Sequence, residues 1–386
     1  MELREYLKNF RNVSTPAYYF DTDVFEKRID FVNRELPEIP LTFSIKANPF
    51  LLNRLPQNLR HVEVCSPGEL KICKAYGIPG SRIIYSGVNK EIEDVTEAIE
   101  YGVDIATAES ILHVKLEQEA AKKANKQQRV ILRLTSGNQF GMSEADILSV
   151  LANQANYPNL DIYGIHYYSG TQKKKRQIDR DFEKLDAALM RFKKETGFVS
   201  KLVEMGPGFP VDYFNPPYDE AEEATLLENK DTILTFAAKY PLGIEMGRYL
   251  AAPCGTYATK VMDIKNNSDT NYIICDGGIH HLKYHGQTMA MQIPEMEVLN
   301  TSPETKPYCI CGSLCTVADV LVREVELPVV SRNDVILFHR CGAYSVTEGS
   351  ALFLSRKIPE VYLYNETDGL EKMRSFVEAA DINRKE

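Results

Sequence analysis

Between about residue 41 and residue 246 the chain alternates short apolar runs with longer stretches of helical periodicity. The runs LTFSI (41–45), HVEVC (61–65), RIIYS (82–86), VDIA (103–106), VILRL (130–134), DIYGIHY (161–167), KLVEM (201–205) and LGIEM (242–246) predict eight strands. PGELKICKAYG, AESILHVKLEQEAAKKA, the segment around 176–196 and residues 220–239 read as helices between them. This alternation predicts an α/β fold, a (β/α)8 TIM-like barrel; a doubly wound open sheet is the alternative, since period alone does not show closure. After about residue 250 the pattern changes. TYATKVMDI, NYIICDGG, KPYCICG, VLVREVELPVV, DVILFH and EVYLYN are short and rich in β-branched and aromatic residues, which predicts a second, mainly antiparallel β domain. The early run PAYYF (16–20) is expected to pack with it, so the boundaries read as 24–252 for the barrel and 1–23 with 253–386 for the β domain.

A length of 386 residues agrees with two domains, and a net charge of −9 argues against a nucleic-acid partner. The opening MELREYLKNF contains no uninterrupted apolar core of a secretory signal, and no run approaches the ~20 apolar residues of a membrane span. A cytoplasmic protein without a membrane partner is the expectation. The eight cysteines form no CxxC pair and read as reduced thiols, and the C-x-C-x3-C spacing of Cys309, Cys311 and Cys315 matches no common zinc site, so no metal is expected. The charge run KKKR at 173–176 reads as a solvated helix start.

Ligands of a (β/α)8 barrel bind at the C-terminal ends of its strands. Those ends carry Lys46, Glu63 with Ser66, Arg133, His166 with Ser169, Gly206 with Gly208, and Glu245 with Arg248. An amine, an imidazole, two acids, glycine turns and arginines converging on one mouth suit an anionic aromatic cofactor. Lys46 ends an apolar strand in FSIKANP, where partial burial would lower its pKa and free the amine for Schiff-base chemistry.

These segments resemble the fold-type III pyridoxal-phosphate decarboxylases, which include ornithine, arginine and diaminopimelate decarboxylases and share the two-domain architecture of alanine racemase. FSIKANP, VEVCSPGEL (62–70), GIHYYSG (164–170), GPGFP (206–210), EMGRYLAAPCG (245–255), CGSLCTVADVL (311–321) and GAYS (342–345) are similar to that family's signatures, in family order over nearly the whole chain. The resemblance implies pyridoxal 5′-phosphate held covalently by Lys46, with His166 stacked on its ring and Glu245 on its ring nitrogen. It gives the phosphate to Ser169, Gly206, Gly208, Arg248 and Tyr344, with Glu63 and Arg133 in support. A carboxylate on the ring nitrogen keeps the ring an electron acceptor, which favours decarboxylation over racemisation, where an arginine would be expected. Cys315 resembles the thiol contributed to the partner subunit's site, where it delivers a proton to Cα, so the resemblance implies a homodimer with shared active sites.

The chain also departs from these relatives. After Cys315 the diamine-forming members carry an acidic residue for the substrate's distal ammonium, where this chain has Thr316. DGGIHHLKYHGQTMAM (276–291) lacks the arginine pattern by which diaminopimelate decarboxylases grip a distal carboxylate. The chain thus looks closer to members serving specialised metabolism, of antibiotic, siderophore or peptide-nucleotide type, whose substrate is an amino-acid conjugate or is tethered to a carrier protein. His280, His281, Lys283 and Tyr284 are candidates for lining the substrate channel, or they form an ordinary polar loop. A metal site at the paired histidines is disfavoured, because adjacent residues on a strand point opposite ways.

Overall fold

The computed structural model describes residues 1–10, 13–300 and 302–385. Its first strand, β1 (Ala17–Asp21), lies apart from the next eight: β2 (Leu41–Ser44), β3 (His61–Val64), β4 (Ile83–Tyr85), β5 (Ile105–Ala108), β6 (Gln128–Arg133), β7 (Leu160–Tyr168), β8 (Leu202–Gly206) and β9 (Leu242–Met246). Those eight are all parallel and close on themselves, with Leu41 of β2 in register with Ile244 of β9. Closure decides between the barrel and the open sheet. Ile84, Ile105 and Ile131 form an apolar cluster inside the barrel, and Tyr163 and Leu202 pack against it.

Helices α1 (Leu3–Asn9), α2 (Thr22–Glu35), α3 (Pro67–Ala75), α4 (Ile92–Tyr101), α5 (Ile111–Lys123), α6 (Glu144–Ala152), α7 (Lys175–Thr196) and α8 (Tyr218–Ala237) complete the main elements up to β9. Several start where a strand-end loop supplies a cap. The Ser66, Ser110 and Ser143 side chains accept from Glu69, His113 and Asp146 backbone N–H groups, satisfying donors that a helix start leaves free. In α7 the apolar side chains Ile178, Phe182, Leu185 and Leu189 share one buried face.

The chain divides into two compact units, one of residues 28–211 and 219–249, the other of residues 1–27, 212–218 and 250–386. The second unit is built on β1 and on β10 (Gly255–Asn267), β11 (Thr270–Cys275), β12 (Met296–Val298), β13 (Thr305–Cys311), β14 (Val320–Pro328), β15 (Val335–His339), β16 (Glu360–Asn365) and β17 (Gly369–Arg374). Its sheet runs β14-β13-β11-β10-β1-β16-β17, with β15 joining β10 to β12. The pairing is mostly antiparallel, with two parallel pairs, β1 with β16 and β11 with β13. The N-terminal strand β1 pairs with β10 and β16 of this sheet. Residues 212–218 group with this unit too: Arg340 Nε donates to the Asp212 carbonyl at 3.0 Å, and the Tyr213 ring lies 5.3 Å from that of Tyr284. Nothing in the strand and helix alternation marks that excursion.

Candidate active site at the mouth of the barrel

Lys46 stands just beyond β2, in a short 3-10 turn of Ile45–Ala47, and the Asn48 side chain accepts from Phe50 N to start the next turn. Its Nζ donates to Glu63 Oε2 at 2.7 Å and lies 3.4 Å from Cys65 Sγ and 3.9 Å from Glu245 Oε1. Burial pushes the Cys65 thiol well up, with the Glu63 charge adding to the effect, so this sulfur is a neutral neighbour of the amine rather than a thiolate. Sequence reasoning passed over Cys65. Its only signal was its position at the end of HVEVC.

Glu245 on β9 is buried, accepts from Ser44 Oγ at 2.8 Å and lies 3.3 Å from His166 Nε2. Burial alone would raise its carboxyl, but the Lys46 charge, then His166 and the Ser44 hydroxyl, hold it well below the usual carboxylate range. Glu245 therefore remains an anion in a buried place, which is what a group facing a protonated ring nitrogen has to be. His166 is 3% exposed, and its Nδ1 has no partner among the described residues. Arg133, at the end of β6, pairs with Glu109 at 2.5 Å and lies 5.0 Å from the Phe140 ring centroid.

The loops after β7 and β8 lock onto each other. Lys173 N donates to the Gly208 carbonyl at 3.0 Å, and Gln172 exchanges hydrogen bonds with the Val211 backbone at 2.9 and 2.6 Å. Gly208 is left-handed, at φ +65°, and a Cβ there would come within 2.0 Å of the Gly170 carbonyl oxygen. A Cβ on Gly206 would meet the Tyr168 ring at 2.6 Å. At 208 only glycine fits this approach of two backbones. Ser169 Oγ donates to Asp181 Oδ2 at 2.7 Å and accepts from Lys173 Nζ at 2.9 Å. The expectation of a solvated KKKR run fails at its first residue: α7 begins at Lys175, while Lys173 is buried and paired with Asp181. Burial draws the Lys173 amine downward against the pull of Asp181. Asp181 was missed as well, although it occupies a core-facing position among Ile178, Phe182 and Leu185, where a carboxylate needs a buried partner.

Arg248 follows Glu245 at the end of β9 and is half-buried. The barrel unit thus brings Lys46, Glu63, His166 and Glu245 into contact at one end, with Gly206 at the end of β8 and Ser169 and Gly208 on the adjoining loops. An aromatic, anionic cofactor fits these residues: an amine flanked by carboxylates, a buried imidazole with an open nitrogen, and a loop pair that only glycine permits.

The other expected residues lie in the β unit. Tyr344 has φ +69° and opens the short helix Ser345–Glu348. Cys315 and Thr316 are on an exposed loop after β13. His280 and His281 are not on a strand. They follow β11 in a turn at Gly277 and Gly278, where His281 N donates to the Gly278 carbonyl, and this curl brings their rings to 3.7 Å instead of pointing them apart. Both are buried, and burial holds His280 down at about 4 and His281 well below its ordinary range. Tyr284 is buried with its hydroxyl on the His339 carbonyl at 2.6 Å, whereas Lys283 is exposed.

Residues 22–252 match the family model for the pyridoxal binding domain of pyridoxal-dependent decarboxylases. The chain belongs to that family: it is a pyridoxal-phosphate-dependent amino-acid decarboxylase. It is 26% identical to diaminopimelate decarboxylase of Bacteroides thetaiotaomicron, over 93% of this chain and 98% of that one. It is 28% identical to L-glutamyl-[BtrI acyl-carrier protein] decarboxylase of Niallia circulans, over 96% of this chain and 94% of that one. The crystal structure of diaminopimelate decarboxylase from Helicobacter pylori complexed with L-lysine shares the fold, with a TM-score of 0.85 at 21% identity over 98% of each chain. Among the described residues no helix is long and apolar enough to cross a membrane.

Proposed function

We propose that this decarboxylase removes the α-carboxylate of an amino acid whose far end is masked, in a conjugate or on a carrier protein, and that it serves a specialised biosynthetic pathway. The observation that carries the reading is the loop after Cys315. Thr316 offers only a hydroxyl, which accepts from Ala318 N at 3.3 Å. The nearest carboxylate, Asp319, is 3% exposed and already accepts from Ile279 N at 2.8 Å and Leu314 N at 2.7 Å. This loop therefore has no carboxylate to offer a distal ammonium. The Niallia circulans relative, by its name, acts on a glutamyl group carried by a protein, which lends support.

The bound cofactor supplies the sink for the electron pair left at Cα when carbon dioxide departs. In this reading Lys46 holds the cofactor and exchanges with the substrate amine, Glu63 orients the Lys46 amine, and Glu245 holds the proton on the ring nitrogen. His166 covers the ring, while Ser169, Gly206, Gly208 and Arg248 hold the phosphate, joined by Tyr344 on resemblance alone. Arg133 supports the mouth through Glu109. Cys315 from a partner subunit returns the proton to Cα, which requires a homodimer; its exposure on a loop tip is compatible with that task.

Carbon dioxide release tests the substrate assignment, measured with free ornithine, lysine, arginine, diaminopimelate and glutamate against amide or carrier-bound glutamyl and diaminopropionyl compounds. Turnover confined to the masked substrates is expected, and strong activity on a free diamino acid refutes the assignment. Free diaminopimelate is the second reading. It is favoured by relatives so named and by exposed Lys283, which could take the place of the missing arginine.

A further inference from the structure

The barrel has a second opening, at the end opposite Lys46. A cavity of about 560 Å³ opens among the N-terminal residues of the strands, next to His61, Ile105, Arg129, Leu202 and Leu242. Ile39, Leu234 and Leu242 give it an apolar wall. Its charged lining is Arg60, Arg129 and Lys201 with Glu38 and Asp104. Arg129 and Lys201 lie over the Tyr163 ring at 5.1 and 5.6 Å and are tied to Asp104 and Asp161 at 2.8 and 3.0 Å, whereas Arg60 is exposed. Asp104 is further engaged by His61 at 3.0 Å.

Glu204 of β8 also lines this cavity. It is 1% exposed, and its Oε1 has no hydrogen-bond partner among the described residues. The side chain fits only because residue 243 is glycine, where a Cβ would come within 2.2 Å of Oε2. Burial, opposed by the Thr42 hydroxyl and reinforced by the charges of Glu245 and Glu63, pushes the carboxyl up to about 8. Near neutral pH Glu204 is therefore a carboxylic acid held in a nonpolar wall with an unused oxygen, a costly arrangement for a group that serves packing alone.

A buried acid, an apolar wall and an exposed arginine at the rim are complementary to one kind of ligand. We propose that this opening binds a small ω-amino carboxylate, with its ammonium on Glu204 and its carboxylate at Arg60, in a site separate from the cofactor face. Pairing a ligand ammonium with the neutral acid ionises Glu204 and releases one proton, so charge and protons balance. The ionisable groups near Glu204 are His166, in register with it on β7, Glu245 on β9, and Glu63 and His61 on β3. The inference does not depend on which amino acid the enzyme decarboxylates.

Calorimetric titration of the holoenzyme with 5-aminopentanoate near neutral pH, in two buffers of different ionisation enthalpy, tests it. Saturable binding with release of about one proton is expected. Glu204→Gln should abolish the proton release and weaken binding by about tenfold or more, and the rim variant Arg60→Ser should weaken it comparably. Lys46→Ala should bind like the wild type, because the ligand does not occupy the cofactor face. The proposal fails if no binding occurs below about 10 mM, if neither Glu204→Gln nor Arg60→Ser changes it, or if Lys46→Ala abolishes it. Should Glu204→Gln not fold, the exposed Arg60 variant and the proton count of the wild type decide.

Discussion

Asp181→Asn should destabilise the barrel unit more than its distance from Lys46 in sequence would lead one to expect. Lys173 and Asp181 are 2.5 Å apart, with side chains only 6% and 11% exposed. Substituting the carboxylate leaves the Lys173 ammonium buried without a counter-charge, with only neutral acceptors, the Ser169 hydroxyl and the asparagine oxygen, beside it. Removing one partner of a buried ion pair costs about 3–5 kcal/mol, and the retained hydroxyl puts the expectation near the lower end, at about 3 kcal/mol. For a unit of this size that corresponds to a fall in Tm of roughly 6–12 °C. The deficit should depend on pH. Lys173 is already drawn below its ordinary range by burial, and without Asp181 it falls further, so the unfolded state binds more protons than the folded one over the window between the folded and unfolded values. Stability of the variant should therefore rise relative to the wild type as pH is raised toward the ordinary lysine range, because the buried amine becomes neutral before the unfolded one does. Asp181→Leu with Lys173→Met, which removes both charges, should recover most of the loss. Thermal unfolding of the wild type, Asp181→Leu, Lys173→Met and their double variant gives a double-mutant cycle. A Tm change for Asp181→Asn below about 2 °C, or strictly additive losses in the double variant, would refute the argument.

Gly208→Ala introduces a Cβ 2.0 Å from the Gly170 carbonyl at a left-handed φ, so cofactor affinity should fall by about tenfold or more while most secondary structure persists; dialysis against a fluorescence readout of bound cofactor checks it. Glu245→Gln keeps the shape of the Ser44 contact but removes the anion, and kcat should drop by about 10²-fold with the cofactor still bound; a loss under about threefold contradicts the assigned role. If Cys315 serves the partner's site, inactive Lys46→Ala and Cys315→Ala chains mixed as subunits should regain up to about a quarter of wild-type activity; no recovery in verified mixed dimers counts against shared sites.

The eight barrel strands were legible because parallel strands buried on both faces read as short apolar runs, and α7 because its apolar face repeats at helical spacing. Lys46 and Glu245 were legible as polar residues at the ends of such runs. Sequence spacing alone could not bring together Ser44 and Glu245, which are 201 positions apart and meet because β2 pairs with β9. The same holds for the Lys173 and Asp181 pair and for the glycine contact between Gly208 and Gly170, which depend on how two loops fold back on each other. Residues 212–218 and the converging rings of His280 and His281 also escaped the pattern, since periodicity carries no signal through turns. Local chemistry along the chain thus determined the element types, the strand-end residues and the cofactor they suit. Only the closed barrel decided which charges lie within a few ångströms of one another, and left Glu204 buried with an unused oxygen, because burial and pairing are properties of three-dimensional neighbours.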